Sequence, residues 1–171
     1  ELWKTSRIIP LFKKGKKSQI ENYRPISNLC ASSKVFERLV LTRILDIEKE
    51  ARVDIFGKTQ HGFRKGRSTV TAAIELQACL AESMDNNHYA AVASLDLSAA
   101  FDVINIELLM KRLEKIGIPR DLLEILNSWL TDRVAYVEVS GICSSYIKVD
   151  CGTVQGSILG PVLFNLFISP L

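Results

Sequence analysis

No stretch of this sequence approaches the roughly 18 uninterrupted apolar residues that a membrane-spanning helix requires, so no transmembrane segment is expected. Cysteine is scarce and unpatterned. Cys30, Cys79, Cys143 and Cys151 form no CxxC pair, and with only His61 and His88 besides, a zinc site is not expected. Scattered thiols without a secretory signal fit a reducing, intracellular setting. Cys143 and Cys151 could face each other across a hairpin, but free thiols are the expectation. The chain also lacks an initiator Met, a signal-peptide apolar core and a disordered lead-in. It opens Glu-Leu-Trp-Lys and closes on a densely apolar segment, and is expected to be a piece of a longer polypeptide. What is present is ordinary: 171 residues, 47% hydrophobic and 24% charged, enough for one core or for one domain plus part of another.

The net charge of +3 is unevenly spread. Residues 1–24 hold Lys4, Arg7, Lys13, Lys14, Lys16, Lys17 and Arg24 against Glu1 and Glu21. Residues 57–68 add Lys58, Arg64, Lys65 and Arg67 with no acid. Two basic blocks on glycine-containing loops make a reasonable footprint for a phosphate backbone, and equally a plain solvated surface.

Along the chain, Arg7 to Phe12 reads as a strand running into a basic turn, and Pro25 keeps Arg24 extended. Ser27 or Asn28 is expected to cap a helix over about 30–50, with Val35, Phe36, Leu39, Val40, Ile44 and Ile47 on one face. Residues 51–67 read as irregular, and Ser68 as the cap of a second helix carrying Val70, Ala73, Ile74, Gln77, Leu80, Ala81 and Met84. A helix over 105–116 is stopped by Gly117, and Pro119 starts another through about Leu130. The period then changes to two in 135–139 and 145–150, which predicts paired strands around a turn near Gly141. Residues 158–168 are apolar on every side, so this helix is expected to be buried, in part by residues outside this sequence. Expressed alone, the chain is expected to aggregate or associate through 158–171.

The chain is organised around Ala90 to Asp102. Its first half reads as a buried strand ending on Asp96; a turn, Phe101 and a second carboxylate, Asp102, follow. Metal-dependent phosphoryl chemistry needs an acidic ligand held rigidly, because Mg²⁺ prefers hard oxygens in near-octahedral geometry. Read alone, the stretch is better taken as a strand end followed by a helix cap.

Five blocks in order change that weighting: Trp3-Lys-Thr-Ser-Arg-Ile-Ile-Pro10, Asn22-Tyr-Arg-Pro-Ile-Ser-Asn-Leu29, Gln60-His-Gly-Phe-Arg-Lys-Gly-Arg-Ser-Thr69, Ser94-Leu-Asp-Leu-Ser-Ala-Ala-Phe-Asp102 and Gly152-Thr-Val-Gln-Gly-Ser-Ile-Leu-Gly-Pro161. Together they resemble the reverse transcriptase domain of non-LTR (LINE-type) retrotransposons over nearly the whole chain. Group II intron reverse transcriptases share the scheme, but the wording from Ser157 to Leu166 fits the LINE type better.

The resemblance implies an α+β right-hand polymerase, helices packed on an antiparallel sheet, with fingers over 1–88 and a partial palm over 89–171. It implies that Asp96 is the first catalytic carboxylate and binds two Mg²⁺ ions together with the Leu97 carbonyl. Phe101 would lie under the deoxyribose and exclude a 2′-hydroxyl. Arg24, and Lys13 or Lys14, would meet nucleotide phosphates, and Gln155 and Gly156 would lie beside the incoming nucleotide. Val154 stands where the family often has Pro. Asp102 reads as a helix cap or loop brace rather than a metal ligand, His61 as a packed loop residue rather than a general acid, and Phe63 as a plug in the fingers core. Arg64, Lys65 and Arg67 would either grip the template strand or be solvated loop charges.

The implied partners are an RNA template, a DNA primer, dNTPs and the rest of the polypeptide (palm, thumb and, in LINE-type parents, an endonuclease). The implied location is the cytoplasm and nucleus, in a retrotransposon ribonucleoprotein. The family's Tyr-Ala-Asp-Asp block is absent from the sequence, so these residues alone are expected to be inactive. The rival reading is a non-catalytic nucleic-acid-binding remnant of a decayed or domesticated element.

Overall fold

The computed structural model describes residues 2–169 apart from 53 and 98. The described residues form five strands and five α-helices, arranged in blocks. Strand β1 (Thr5–Phe12) and strand β2 (Tyr23–Asn28) form an antiparallel hairpin with Leu11 opposite Arg24. Helices α1 (Ala31–Ala51), α2 (Thr69–Asp85), α3 (Ile106–Lys115) and α4 (Arg120–Leu130) follow. Strands β3 (Arg133–Val139), β4 (Ile142–Cys143) and β5 (Ile147–Val149) precede the last helix, α5 (Leu159–Ile168).

The sheet runs β2-β1-β3-β4, with β5 also on β3. Strand β3 is antiparallel to β4 and β5 but parallel to β1, with Thr5 opposite Val134. The expected antiparallel sheet is therefore a mixed one. A parallel pair needs a long crossover, and here all four intervening helices supply it. The two-residue turn between β3 and β4 uses Ser140 and Gly141, both left-handed at φ +52° and +80°, the pattern that matches strand twist in a tight hairpin.

One apolar core joins α1, α3, α4 and α5 through Val40, Ile44, Leu109, Leu113, Leu126, Leu159, Leu163 and Leu166. Helices α3 and α4 present their apolar stripes to it as their period predicts, Gly117 ends α3 at φ +90°, and Pro119 opens α4. Helix α5 lies at the centre of this core, covered by elements within the chain, with Leu159, Leu163 and Leu166 fully buried. Pro170 and Leu171, part of the expected association segment, lie outside the described residues.

Further sequence readings need correction. Helix α1 is capped at Cys30, without a side-chain cap bond, because Ser27 and Asn28 are held in the ladder opposite Ile8 and Arg7. On α1, Val40, Ile44 and Ile47 are buried as expected, whereas Val35 and Leu39 face solvent. Helix α2 has the expected cap at Ser68 but buries none of its residues. Residues 90–97 form no strand, and Leu95 is 90% exposed. An extended segment makes no ladder bonds of its own, and none of the described strands pairs with it.

Candidate functional site

A cleft of about 390 Å³ opens between β2, the loop before α2, the turn after residue 98 and the loop leading into α5. It is lined by Arg24, Ile26, Phe63, Phe101, Val154, Gln155, Gly156 and Pro161. Each wall has a local cause. Pro25 restricts the residue before it to extended backbone, and the β1 ladder fixes that strand, so Arg24 is held straight at the cleft edge. Its guanidinium enters none of the ion pairs among the described residues. Phe101 is half-buried, its ring 4.8 Å from that of Phe164 on α5 and 6.1 Å, edge-on, from that of Phe63.

The Gln155 loop is tied along its length. The Gly152 and Thr153 N–H groups donate to the carbonyls of Ile104 (2.8 Å) and Phe101 (2.7 Å), and the Ser27 N–H donates to the Gln155 carbonyl (3.1 Å). Gln155 Nε2 donates to Asp102 Oδ2 at 2.6 Å, so Asp102 braces this loop, while Asn105 caps α3. At Gly156, φ is +96° and a Cβ would lie 2.7 Å from the Ser27 carbonyl oxygen, so only glycine fits. Arg24, Phe101, Gln155 and Gly156, four of the expected nucleotide contacts, thus share one cleft. Lys13 and Lys14 do not line it. They sit exposed in the hairpin turn, where the Lys13 N–H closes on the Asn22 carbonyl, two residues from Arg24.

The reverse transcriptase (RNA-dependent DNA polymerase) family matches residues 13–171. The chain belongs to the reverse transcriptase family. It is 35% identical to the probable RNA-directed DNA polymerase from transposon BS, and 34% identical to the RNA-directed DNA polymerase from mobile element jockey, both of Drosophila melanogaster. Each match covers 99% of this chain and 18% of the relative. The Pol polyprotein from type-1 retrotransposable element R2 of Popillia japonica is 25% identical over 99% of this chain and 23% of its own length. The resemblance carried by the five motif blocks holds, and the chain spans about a fifth of the length of the relatives it matches.

The basic loop of the chain is organised inward. Arg64 makes a two-armed ion pair with Asp54 (3.0 and 3.2 Å), donates to the Gly57 carbonyl (2.7 Å) and lies over the Phe56 ring at 5.3 Å. Burial opposes ionisation of Asp54, but the Arg64 guanidinium and the Phe56 and Gly57 N–H groups outweigh it, holding the carboxyl below its usual range. Burial pushes the nearby Glu48 carboxyl up, and the Arg64 charge offsets only part of that. Arg67 donates to the Lys58 carbonyl, which leaves Lys65 exposed on the loop. His61 is packed between Thr71 Oγ1 (2.8 Å) and Glu75 Oε2 (2.7 Å), joining the loop to α2. Phe63 does not plug a core: it is 67% exposed with φ +54°, on the cleft rim against Phe101. Cys143 and Cys151 are free and exposed, the latter donating to the Asp102 carbonyl.

Asp96 and Leu97 lie in the exposed irregular segment and do not line the cleft. Among the described residues no three His, Cys, Asp or Glu side chains converge. A two-ion centre needs opposed acidic ligands, so these residues do not make one by themselves.

Sequence reasoning missed two buried polar groups that hold α5. Glu37 is 0% exposed and accepts from the Ile158 and Leu159 N–H groups at the start of α5. Asn165, 1% exposed, donates to the Gly62 carbonyl (2.7 Å) and accepts from Gln60 Nε2 (2.8 Å), pinning the basic loop to α5. The available signals were a carboxylate on the stripe Glu37, Val40, Ile44, and one amide inside an otherwise apolar run.

Proposed function

We propose that this chain forms the nucleotide-binding part of an RNA-directed DNA polymerase that adds dNTPs to a DNA primer on an RNA template. The observation that carries the reading is the single cleft shared by Arg24, Phe101, Gln155 and Gly156. It joins a cation with no ion-pair partner among the described residues to an aromatic floor and a loop whose amide side chain is fixed by Asp102. Arg24 would hold phosphate oxygens, with Lys13 or Lys14 at the distal ones. The Phe101 ring would fill the volume of a 2′-hydroxyl, and Gln155 and Gly156 would fix the base and sugar. Such groups act by orienting the nucleotide for attack by a primer 3′-hydroxyl. Residues 1–88 are assigned to fingers and 89–171 to part of the palm. Asp96, with the Leu97 carbonyl, is the contribution this chain would offer to a Mg²⁺ site completed by carboxylates outside it. Lys65, Arg67 and the outward side of the Arg64 loop are assigned to the template backbone. The enzyme is assigned to a cytoplasmic and nuclear ribonucleoprotein.

The test is primer extension by the full-length polypeptide on an RNA template. Extension is expected to disappear in Asp96→Asn, and Phe101→Ala is expected to raise rNTP incorporation relative to dNTP by about tenfold or more. RNA binding without extension in the wild-type protein would instead favour the non-catalytic reading.

A further inference from the structure

Helix α5 begins without a side-chain cap of its own at Ile158. The first N–H groups of a helix need acceptors, and leaving them bare in a core is costly. Ser157 Oγ accepts from Gly160 (2.8 Å), and the remaining need is met from across the fold: Glu37 Oε2 accepts from Ile158 (2.5 Å) and Leu159 (3.2 Å), 121 and 122 residues away. Ser33 donates to the other oxygen of the same carboxylate at 3.4 Å. Arg133, 2% exposed and bonded to the Trp129 carbonyl and Ser6 Oγ, lies within the electrostatic reach of Glu37, and a helix start favours negative charge. A carboxylate accepting backbone N–H bonds makes some of the strongest hydrogen bonds available to a protein.

What this cap holds matters more than the helix. Ile158 follows Gln155 and Gly156 by two or three residues, and the loop's other end is already tied to Phe101, Asp102 and Ile104. Resting on the polymerase reading above, we propose that Glu37 is a positioning residue for nucleotide binding: by clamping the start of α5 it fixes the downstream end of the Gln155–Gly156 loop against the cleft. It touches no substrate and acts through that loop.

Two variants of the full-length enzyme separate this from a general structural role. Glu37→Gln keeps an acceptor oxygen and loses the charge; Glu37→Ala loses both. The dNTP KM is expected to rise about threefold in the first and about thirtyfold in the second, with kcat within about threefold of wild type. Amide exchange at Ile158 and Leu159 is expected to quicken in the same order. Leu126→Ala, a fully buried truncation on α4, is the control and is expected to leave the dNTP KM unchanged. Faster exchange with an unchanged KM overturns the proposal, as does an equal KM rise in Leu126→Ala. Should Glu37→Ala fail to fold, the KM and exchange of Glu37→Gln still decide. A wild-type enzyme that incorporates no dNTP overturns the polymerase reading and the positioning role with it. The exchange measurement tells that failure apart, since it reports the cap regardless of activity.

Discussion

Helices α2 and α5 carry opposite combinations of local and tertiary support. Helix α2 has the best-made end in the molecule: Ser68 accepts from the Thr71 N–H while Thr71 Oγ1 accepts from the Ser68 N–H, a reciprocal capping box. It then buries nothing, leaving Val70, Ile74 and Met84 in solvent. Helix α5 borrows its cap from α1, yet three of its leucines are fully buried. The difference separates two causes. Capping and periodicity decide whether a segment is helical. Partners decide how much the rest of the protein depends on it, because most helical stability in a folded chain comes from a packed face.

The largest effect that would test this contrast is the pair Leu163→Ala and Ile74→Ala. The first removes a fully buried side chain from the α5 core and is expected to cost about 2–5 kcal/mol in denaturant unfolding. The second trims a 60% exposed residue of α2 and is expected to change stability by less than about 0.5 kcal/mol. A loss of several kcal/mol from Ile74→Ala would mean that α2 is packed in solution. Next in size, Ser68→Ala removes the α2 cap at a cost of about 1 kcal/mol. Amide exchange should quicken in the first turn of α2 and leave α5 unchanged; equal changes in both helices would show that they unfold together.

The smallest effect comes from acid. The Asp54 carboxyl is held below its ordinary value, so its pair with Arg64 contributes stability above the unfolded-state pKa and loses it as pH falls through the lowered folded value. Since an aspartate ordinarily titrates near 3.8, loosening of residues 54–67 is expected below about pH 4. Asp54→Asn should abolish that acid dependence in the exchange rates of the loop. An unchanged acid profile in the variant would remove Asp54 from the account.

The parts legible in the sequence were those with local causes. The stripes of α3 and α4, the stop at Gly117, the cap at Ser68 and the extended backbone before Pro25 each follow from a few adjacent residues. Four cleft residues were legible too, through the wording of three separate motif blocks. The rest depended on partners far along the chain. Ser27 and Asn28 look like caps until β1 claims them for its ladder. Arg64 reads as a template contact or a solvated loop charge, and its pairing with Asp54, ten residues upstream, is not visible from either. Glu37 and Asn165 drew no separate reading, because their partners at the start of α5 and in the basic loop lie about a hundred residues or more away. Residues 90–97 have the composition of a buried strand but no neighbouring strand among the described residues, and composition cannot create a ladder.

The parallel pairing of Thr5 with Val134 also sets a schedule for synthesis. A ribosome adds about 5–20 residues per second, so β1 emerges on the order of ten seconds before the strand that covers its far edge. During that wait β2 can protect one side of β1, while the other presents open amide and carbonyl groups to any extended chain nearby. The yield of this protein should therefore respond to translation speed through this interval more than to speed anywhere earlier.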